Sequence, residues 1–441
     1  MIVVVALCAI VAALAVSVSA PPLSTIQTIP PPERLQGSRG VFSCAGYGWS
    51  TNGDPFEAVS EAAEKVREVM GENEPGFLFL FCSSRYDEDA VLQETRRQFP
   101  GAKVYGGTSS LGVMTSAGFH LSDNGSLVIM GIHSSRITLG VGHASFDELP
   151  PENAGEVAVR RAMEDAGREG EMPAIILVTM APGNEEAVLS GIAGVVGENV
   201  PVFGGSSADD DLSGKWKQFA NDTVLSNGVA LAAVFTDLCT CYHYATVYEV
   251  TEREGTITSA QGRTIYEIDG LPAAEVYNSW TGGLISEKLE NGGSIIVEAS
   301  YWPLAKVVRG PIGRTFRVSM HPVYVENGAI TVYAEVENGM KVSLLHGSWE
   351  LLLNQSGRTA KKASEMCTGR GIFAIFTHCA GTMMAIPEDE RPKIPLLVAQ
   401  GIGETPFIGA FTFGEQGFVE DVGNVHGNLT DWILFFSEEV P

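Results

Sequence analysis

VYGGTSS at residues 104–110 and VFGGSSA at residues 202–208 are near-copies of one seven-residue phrase, and the sequence leading into each copy matches as well. GFLFLFCSS (76–84) and PAIILVTMAPG (173–183) are short continuous apolar runs, the pattern of strands buried on both faces. A helical stretch separates run from phrase each time: Asp87 opens one that Pro100-Gly101 closes, and NEEAVLSGIAGVVG is its counterpart. Phe77 maps to Ile175 and Gly106 to Gly204 at a single offset of 98 residues. Two strands and a helix held at constant spacing indicate an internal duplication.

Working outward, Asp54, Pro55 and Glu57 supply a cap, a first-turn proline and a capping-box partner. Phe56, Val59, Ala63, Val66 and Met70 then share one helical stripe that ends at Gly71. After the first glycine phrase, GFHLS and SLVIMGIHSS read as strands joined by a tight turn around Asp123-Asn124-Gly125. The same order returns with a helix over 153–168 and with LSNGVALAAVFTD around a turn at Asn227-Gly228. A looser third copy runs through a helix near 348–367, GIFAIFTHCAG (371–381), a helix near 388–401, PFIGAFTFGEQG (406–417) and LTDWILFFS (429–437). The expected fold is α/β, with mixed sheets built from repeated helix–strand units in two domains, 41–245 and 246–441, the first internally duplicated.

The 441 residues exceed one hydrophobic core, and 45% apolar content excludes wholesale disorder. A net charge of −25 with no basic stripe argues against nucleic acid as a partner. Residues 1–20 form a signal-like apolar leader ending in small residues, although Lys and Arg are missing from its start and Pro21 follows Ala20. Residues 21–40 are a Pro-rich linker. The leader points to the secretory pathway or to membrane association through an uncleaved anchor. Without Cys8 six cysteines remain, which permits disulfides without assigning them, and four sequons begin at Asn124, Asn221, Asn354 and Asn428.

Each glycine pair is read as a turn following a strand, at the sheet edge where α/β proteins bind ligands. The alternative is that the glycines serve tight turns or close strand packing. The hydroxyls of Thr108, Ser109, Ser206 and Ser207 beside them suit a small polar ligand. Cys82, Ser83, Gly106, Gly107, Gly204, Gly205 and Asp209 complete the N-terminal part of the candidate ligand-binding set, and Cys379 and Glu415 come from the C-terminal domain. Glu415 either pairs with an amine or caps backbone. Asp209, Asp210 and Asp211 read as a cation or ammonium site or as a solvated acidic loop.

No nucleophile elbow, P-loop, H-E-x-x-H motif or dinucleotide fingerprint is present, so the reading leans away from an enzyme. His378 and Cys379 are strand neighbours that point to opposite faces and make a poor catalytic pair. Cys239, Cys241 and His243 share one strand face, as soft-metal ligands would. Their spacing matches no zinc knuckle, so they are read as core residues and no metal is assigned.

FLFLFCSSRYDEDAVLQET leading to VYGGTSSLGV, VFGGSSADDD with NGVALAAVF, IYEIDGLPAAEVYNSW (265–280) and GEQG after PFIGAFTF together resemble the FIST domain proteins, with a FIST N domain followed by a FIST C domain. The resemblance covers most of residues 55–438. It implies an intracellular, small-molecule-binding sensory module in signal transduction, with an amino acid or similar polar metabolite as ligand and a protein partner for output. Some members are haem-binding gas sensors, so haem is the one cofactor it brings, with no histidine selected. A protein-interaction scaffold without a small ligand is the remaining alternative. Where relatives often carry Arg three residues after the Cys of FTHCAGT, this chain has Thr382.

Overall fold

The computed structural model describes residues 43–439 apart from 247, 311 and 312, so the leader and Pro-rich linker lie outside the described residues. The chain runs through three copies of one unit. The first comprises β1 (Ser43–Ser50), α1 (Pro55–Met70), β2 (Phe77–Ser83), α2 (Glu88–Gln98), β3 (Lys103–Ser109), β4 (Val113–Thr115), β5 (Gly118–His120) and β6 (Leu127–Ser134). The second comprises β7 (Ile137–Ser145), α3 (Pro151–Asp165), β8 (Ile175–Met180), α4 (Glu185–Val196), β9 (Val202–Ser206), β10 (Gln218–Ala220), β11 (Thr223–Leu225) and β12 (Gly228–Thr236). The third opens with β13 (Cys239–Thr246) and then carries an insertion between Glu249 and His346, made of strands β14–β22 with helices α5 (Ala273–Trp280) and α6 (Lys288–Asn291). It resumes with α7 (Trp349–Met366), β23 (Arg370–Cys379), α8 (Ala380–Ala385), α9 (Lys393–Ile402), β24 (Phe407–Thr412), β25 (Glu415–Val419), β26 (Gly423–Gly427) and β27 (Thr430–Glu438).

Several local signals act as expected, although Phe56, expected on the stripe of α1, is exposed. The Asp54 carboxylate accepts from the N–H groups of Phe56 and Glu57, Pro55 occupies the first turn of α1, and β2 is buried throughout. In each copy the first strand pairs with the last, the last with the second, and the second runs parallel to the third. Each sheet is then completed by a hairpin from another copy. β10–β11 extend the first sheet through β3, β25–β26 extend the second through β9, and β4–β5 extend the third through β24. This cyclic exchange closes the three copies into a ring.

The exchange corrects two expectations. The Asp123-Asn124-Gly125 turn does not join a hairpin: β5 belongs to the third sheet and β6 to the first, so the turn carries the chain between sheets. PFIGAFTFGEQG is not one strand but two, because Gly414 (φ 132°) breaks it and sends β25 into the second sheet. A third finding is that β1, β4 and β7, which the unit as read from sequence lacks, supply paired strands of their own.

The three sheets turn one face towards a shared core that gathers Phe79 and Phe81, Leu177 and Phe203, and Ile375 and Trp432 from successive copies. The other face of each is covered by helices of its own copy, α1 and α2, α3 and α4, or α7 and α9. The insertion folds as a separate nine-stranded sheet with its own core around Ile257, Tyr277 and Leu344. Among the described residues no helix is long and apolar enough to cross a membrane.

Candidate ligand-binding site

The glycine pairs lie within strands β3 and β9 and not in turns after them, which corrects the reading of VYGGTSS and VFGGSSA. Their backbone needs no left-handed conformation. What requires glycine is distance: a Cβ at Gly106 would lie 1.7 Å from the Leu80 carbonyl oxygen, and one at Gly204 would lie 1.9 Å from that of Val178. The third copy repeats the contact, with Gly409 placing a Cβ 2.7 Å from the Phe376 carbonyl oxygen. The partner glycines meet neighbouring copies. A Cβ at Gly107 would approach the Ser207 hydroxyl at 2.8 Å, and one at Gly205 would strike Thr412 at 2.4 Å. The phrase recurs because each copy brings the same strand pair, and its neighbour, to near-contact.

These contacts surround a cavity of about 20 Å³ where the three copies meet. Gly107, Thr108, Gly204 and Gly205 line it, so the structure brings together four of the residues singled out from sequence. The register shows how the copies contribute: Phe81, Thr179 and Thr377 hold equivalent positions opposite Gly107, Gly205 and Ala410, and all six face the cavity. Thr179 donates to the Gly205 carbonyl at 3.0 Å and lies 2.9 Å from the Ser207 hydroxyl, which places Ser207 at the rim. Trp432 donates its indole N–H to the Gly204 carbonyl at 2.7 Å and forms another wall.

Behind Thr412, a cavity residue, lies Glu415, fully buried. Its Oε1 accepts from the Thr412 hydroxyl at 2.8 Å, and its Oε2 accepts from the Thr430 hydroxyl at 2.9 Å and the Thr430 N–H at 3.2 Å. It therefore caps backbone, one of the two roles expected of it. Burial outweighs these bonds and raises its pKa from 4.5 to about 8. Cys379 adjoins it, and burial followed by the Glu415 carboxyl pushes that thiol well above its ordinary range. Gln218 takes the position equivalent to Glu415, opposite Gly107, and is buried with no partner for either end of its amide.

The remaining candidates sit elsewhere. Cys82 faces the helices of the first copy, and Ser83 accepts from the Ser126 N–H. Ser109 bonds Gly112 and Phe411, tying the first copy to the third. Ser206 donates to Glu185 at 2.7 Å. Glu185 starts α4, buried with His426 in a cluster that the partly buried Glu186, Arg263 and Lys306 complete, where the second copy meets the insertion. Burial alone would raise the Glu185 pKa, but His426, Arg263 (2.6 Å away) and its hydrogen bonds bring it down to about 2. Asp209 is buried and accepts from the N–H groups of Gly214 and Lys215, while Asp210 pairs with Arg85 at 2.6 Å. The acidic run is thus not a solvated loop: Asp209 pins its own loop, Asp210 ties it to Arg85 of the first copy, and only Asp211 is exposed.

Cys241 is not a simple core cysteine, since it forms a disulfide with Cys367. Several histidines are engaged internally: His120 with Thr115, His321 with the Ile296 carbonyl, His426 with Gln416, and His378 with Asp431 at 2.7 Å. Cys379 packs in the cluster beneath α7 and α9, and His378 contacts Ser356 of α7.

Sequence reasoning missed Thr179, Thr377, Thr412 and the Glu185 cluster. A signal for the first two exists, since Thr179 is the lone polar residue in its apolar run, Thr377 is the first polar residue to interrupt its own, and the repeat register places both beneath Phe81. Nothing in the sequence places Arg263 or Lys306 against Glu185.

A model of the FIST N domain matches residues 76–271 and one of the FIST C domain matches residues 273–418. The chain belongs to the FIST family, whose domains are sensory modules that bind small ligands. Over 78 residues it is 32% identical to the uncharacterized protein MJ1623 of Methanocaldococcus jannaschii, a stretch amounting to 18% of this chain and 15% of that relative. Among solved structures it is similar to cyanuric acid hydrolase from A. caulinodans, at a TM-score of 0.35 and 10% identity, over 90% of this chain and 100% of that one. PurLQS from Thermotoga maritima follows at a TM-score of 0.22 and 9% identity, covering 89% and 72%.

Proposed function

We propose that this FIST protein senses a small polar metabolite, an amino acid or a compound of similar size, at the cavity where its three copies converge. The observation that carries the reading is the meeting of Gly107, Thr108, Gly204 and Gly205 with the Thr179, Thr377 and Thr412 side chains around one cavity, although they come from three separate parts of the chain. The hydroxyls donate and accept, and the Glu415 carboxyl stands directly behind Thr412.

A cavity of about 20 Å³ holds a water-sized molecule, so a metabolite enters only as the copies move apart. Each of the three repeat sheets contains a hairpin from another copy, and such a movement is carried around the ring. Occupancy is then passed to a protein partner as a change of surface. An incoming ammonium group would also favour the ionised form of Glu415, so its binding releases a proton.

The test is thermal unfolding of the full chain against amino acids, small carboxylates, divalent metals and haem, with the parent compared with Thr179→Val and Thr412→Val. A ligand at a hundred times its Kd stabilises by about 2.7 kcal/mol. Stabilisation by one ligand class, lost in both variants while their ligand-free melting drops by no more than about 1.5 kcal/mol, is the expected result. Stabilisation that persists undiminished in both variants, or none with any compound, overturns the assignment.

A further inference from the structure

The sulfur atoms of Cys239, Cys241 and Cys367 lie together at the edge of the third sheet and do not line the cavity. Cys239 and Cys241 share one face of β13, the outermost strand of its sheet, and Cys367 ends α7 and packs against that face. The Cys239 Sγ is 3.8 Å from the Cys241 Sγ and 3.2 Å from the Cys367 Sγ. Cys241 and Cys367 are joined as a disulfide across 126 residues. A cross-link uses two sulfurs. The third takes no part in it, yet sits within reach of both. Sequence pattern offered His243 as the companion of Cys239 and Cys241, but the residue the fold delivers is Cys367.

We propose that, when its disulfide is reduced, this cluster binds one thiophilic d10 cation, Zn²⁺ or Cd²⁺, through the thiolates of Cys239, Cys241 and Cys367. Metal–sulfur bonds of about 2.3 Å in tetrahedral geometry place sulfurs roughly 3.8 Å apart. The Cys239–Cys241 pair already has that spacing, and the freed sulfurs of Cys241 and Cys367 need only part to it. Cys239 and Cys367 are half-exposed, so the fourth position opens towards solvent and is filled by water or an exogenous thiol. The chemistry balances. A phosphine reductant gives two electrons to the Cys241–Cys367 bond and leaves as its oxide, water supplying that oxygen and the two protons that complete the thiols, whereas a dithiol supplies both the electrons and the protons and leaves as a disulfide. One divalent ion then displaces three protons from three thiols. Disulfide and metal are alternative occupants of one site, so the cation binds only under reducing conditions.

The full chain is reduced with tris(carboxyethyl)phosphine, freed of excess reductant without air, and titrated with Cd²⁺ while the ultraviolet thiolate-to-cadmium absorption is recorded. Saturation at one equivalent is expected in the reduced parent and in Cys44→Ser, whose thiol lies outside the cluster, with no such absorption in the oxidised parent. Cys239→Ser keeps the disulfide, so its oxidised form melts with the parent and reports an intact fold. Reduced, it loses about a third of the charge-transfer intensity and binds at least tenfold more weakly. Absence of a one-equivalent endpoint in the reduced parent, or parental binding by reduced Cys239→Ser, overturns the proposal.

Discussion

Glu415→Gln tests whether a buried, protonated carboxyl stands behind the cavity. The folded protein holds the Glu415 proton up to about pH 8, whereas an exposed glutamate releases it near 4.5. Between these values the folded state binds more protons than the unfolded state, so stability falls as pH rises. The full contribution is present below pH 4.5 and is lost as pH passes through about 8. The slope reaches about 1.4 kcal/mol per pH unit, and across pH 5 to 8 the loss is on the order of 4 kcal/mol. Glutamine preserves shape and an acceptor oxygen but carries no titrating proton, so the variant lacks this component. The assay is thermal unfolding of parent and variant at unit intervals from pH 5 to 8. The difference in melting temperature between them should change by roughly 5 °C over the series, with the parent gaining most at pH 5. Parallel curves would refute the reasoning and show that Glu415 ionises in the folded protein as it does in water.

Gly204→Ala forces a methyl group to within 1.9 Å of the Val178 carbonyl and should destabilise by about 3 kcal/mol or prevent folding, whereas Gly101→Ala, in open space, should leave melting within about 0.5 kcal/mol. Arg263→Met strands the Glu185 carboxylate in the interior and should cost about 3–5 kcal/mol, part of which Glu185→Gln in the same chain restores. Because the Glu185 pKa is depressed, the parent carries that stabilisation above pH 4.5 and loses it as pH falls through about 2, and acid unfolding of the Arg263→Met variant should be flatter in that window. Cys241→Ser should retain a cross-link to α7, since Cys239 lies 3.2 Å from Cys367, whereas Cys367→Ser should lose it and up to about 5 kcal/mol, as thiol counting and melting will show.

The three-copy organisation was legible in one dimension because strands and helices that repeat must repeat their apolar spacing. The offset between Gly106 and Gly204, the apolar runs around Phe79 and Leu177, and the Asp54 cap are all local facts, and the structure bears each of them out. The glycines were visible, but their reason was not. A turn and a strand too close to its neighbour make the same demand on a residue, and only the 1.7 Å separation of a Gly106 Cβ from Leu80 distinguishes the two. The hairpin exchange was likewise invisible, because Asp123-Asn124-Gly125 specifies a turn without specifying which sheet receives the strands on either side.

Sequence by itself therefore determined the repeated units, the helix ends, the strand interiors and the family, all of which depend on residues close together in the chain. The tertiary structure alone decided which of the marked residues meet. Thr179, Thr377 and Thr412 share a cavity, burial raises the Glu415 pKa, and Cys367 joins Cys239 and Cys241, because these relations depend on burial and distance between residues far apart in the chain. Hydrophobic spacing encodes which face of an element is buried, and the neighbour it is buried against is set only when the three copies close on one another.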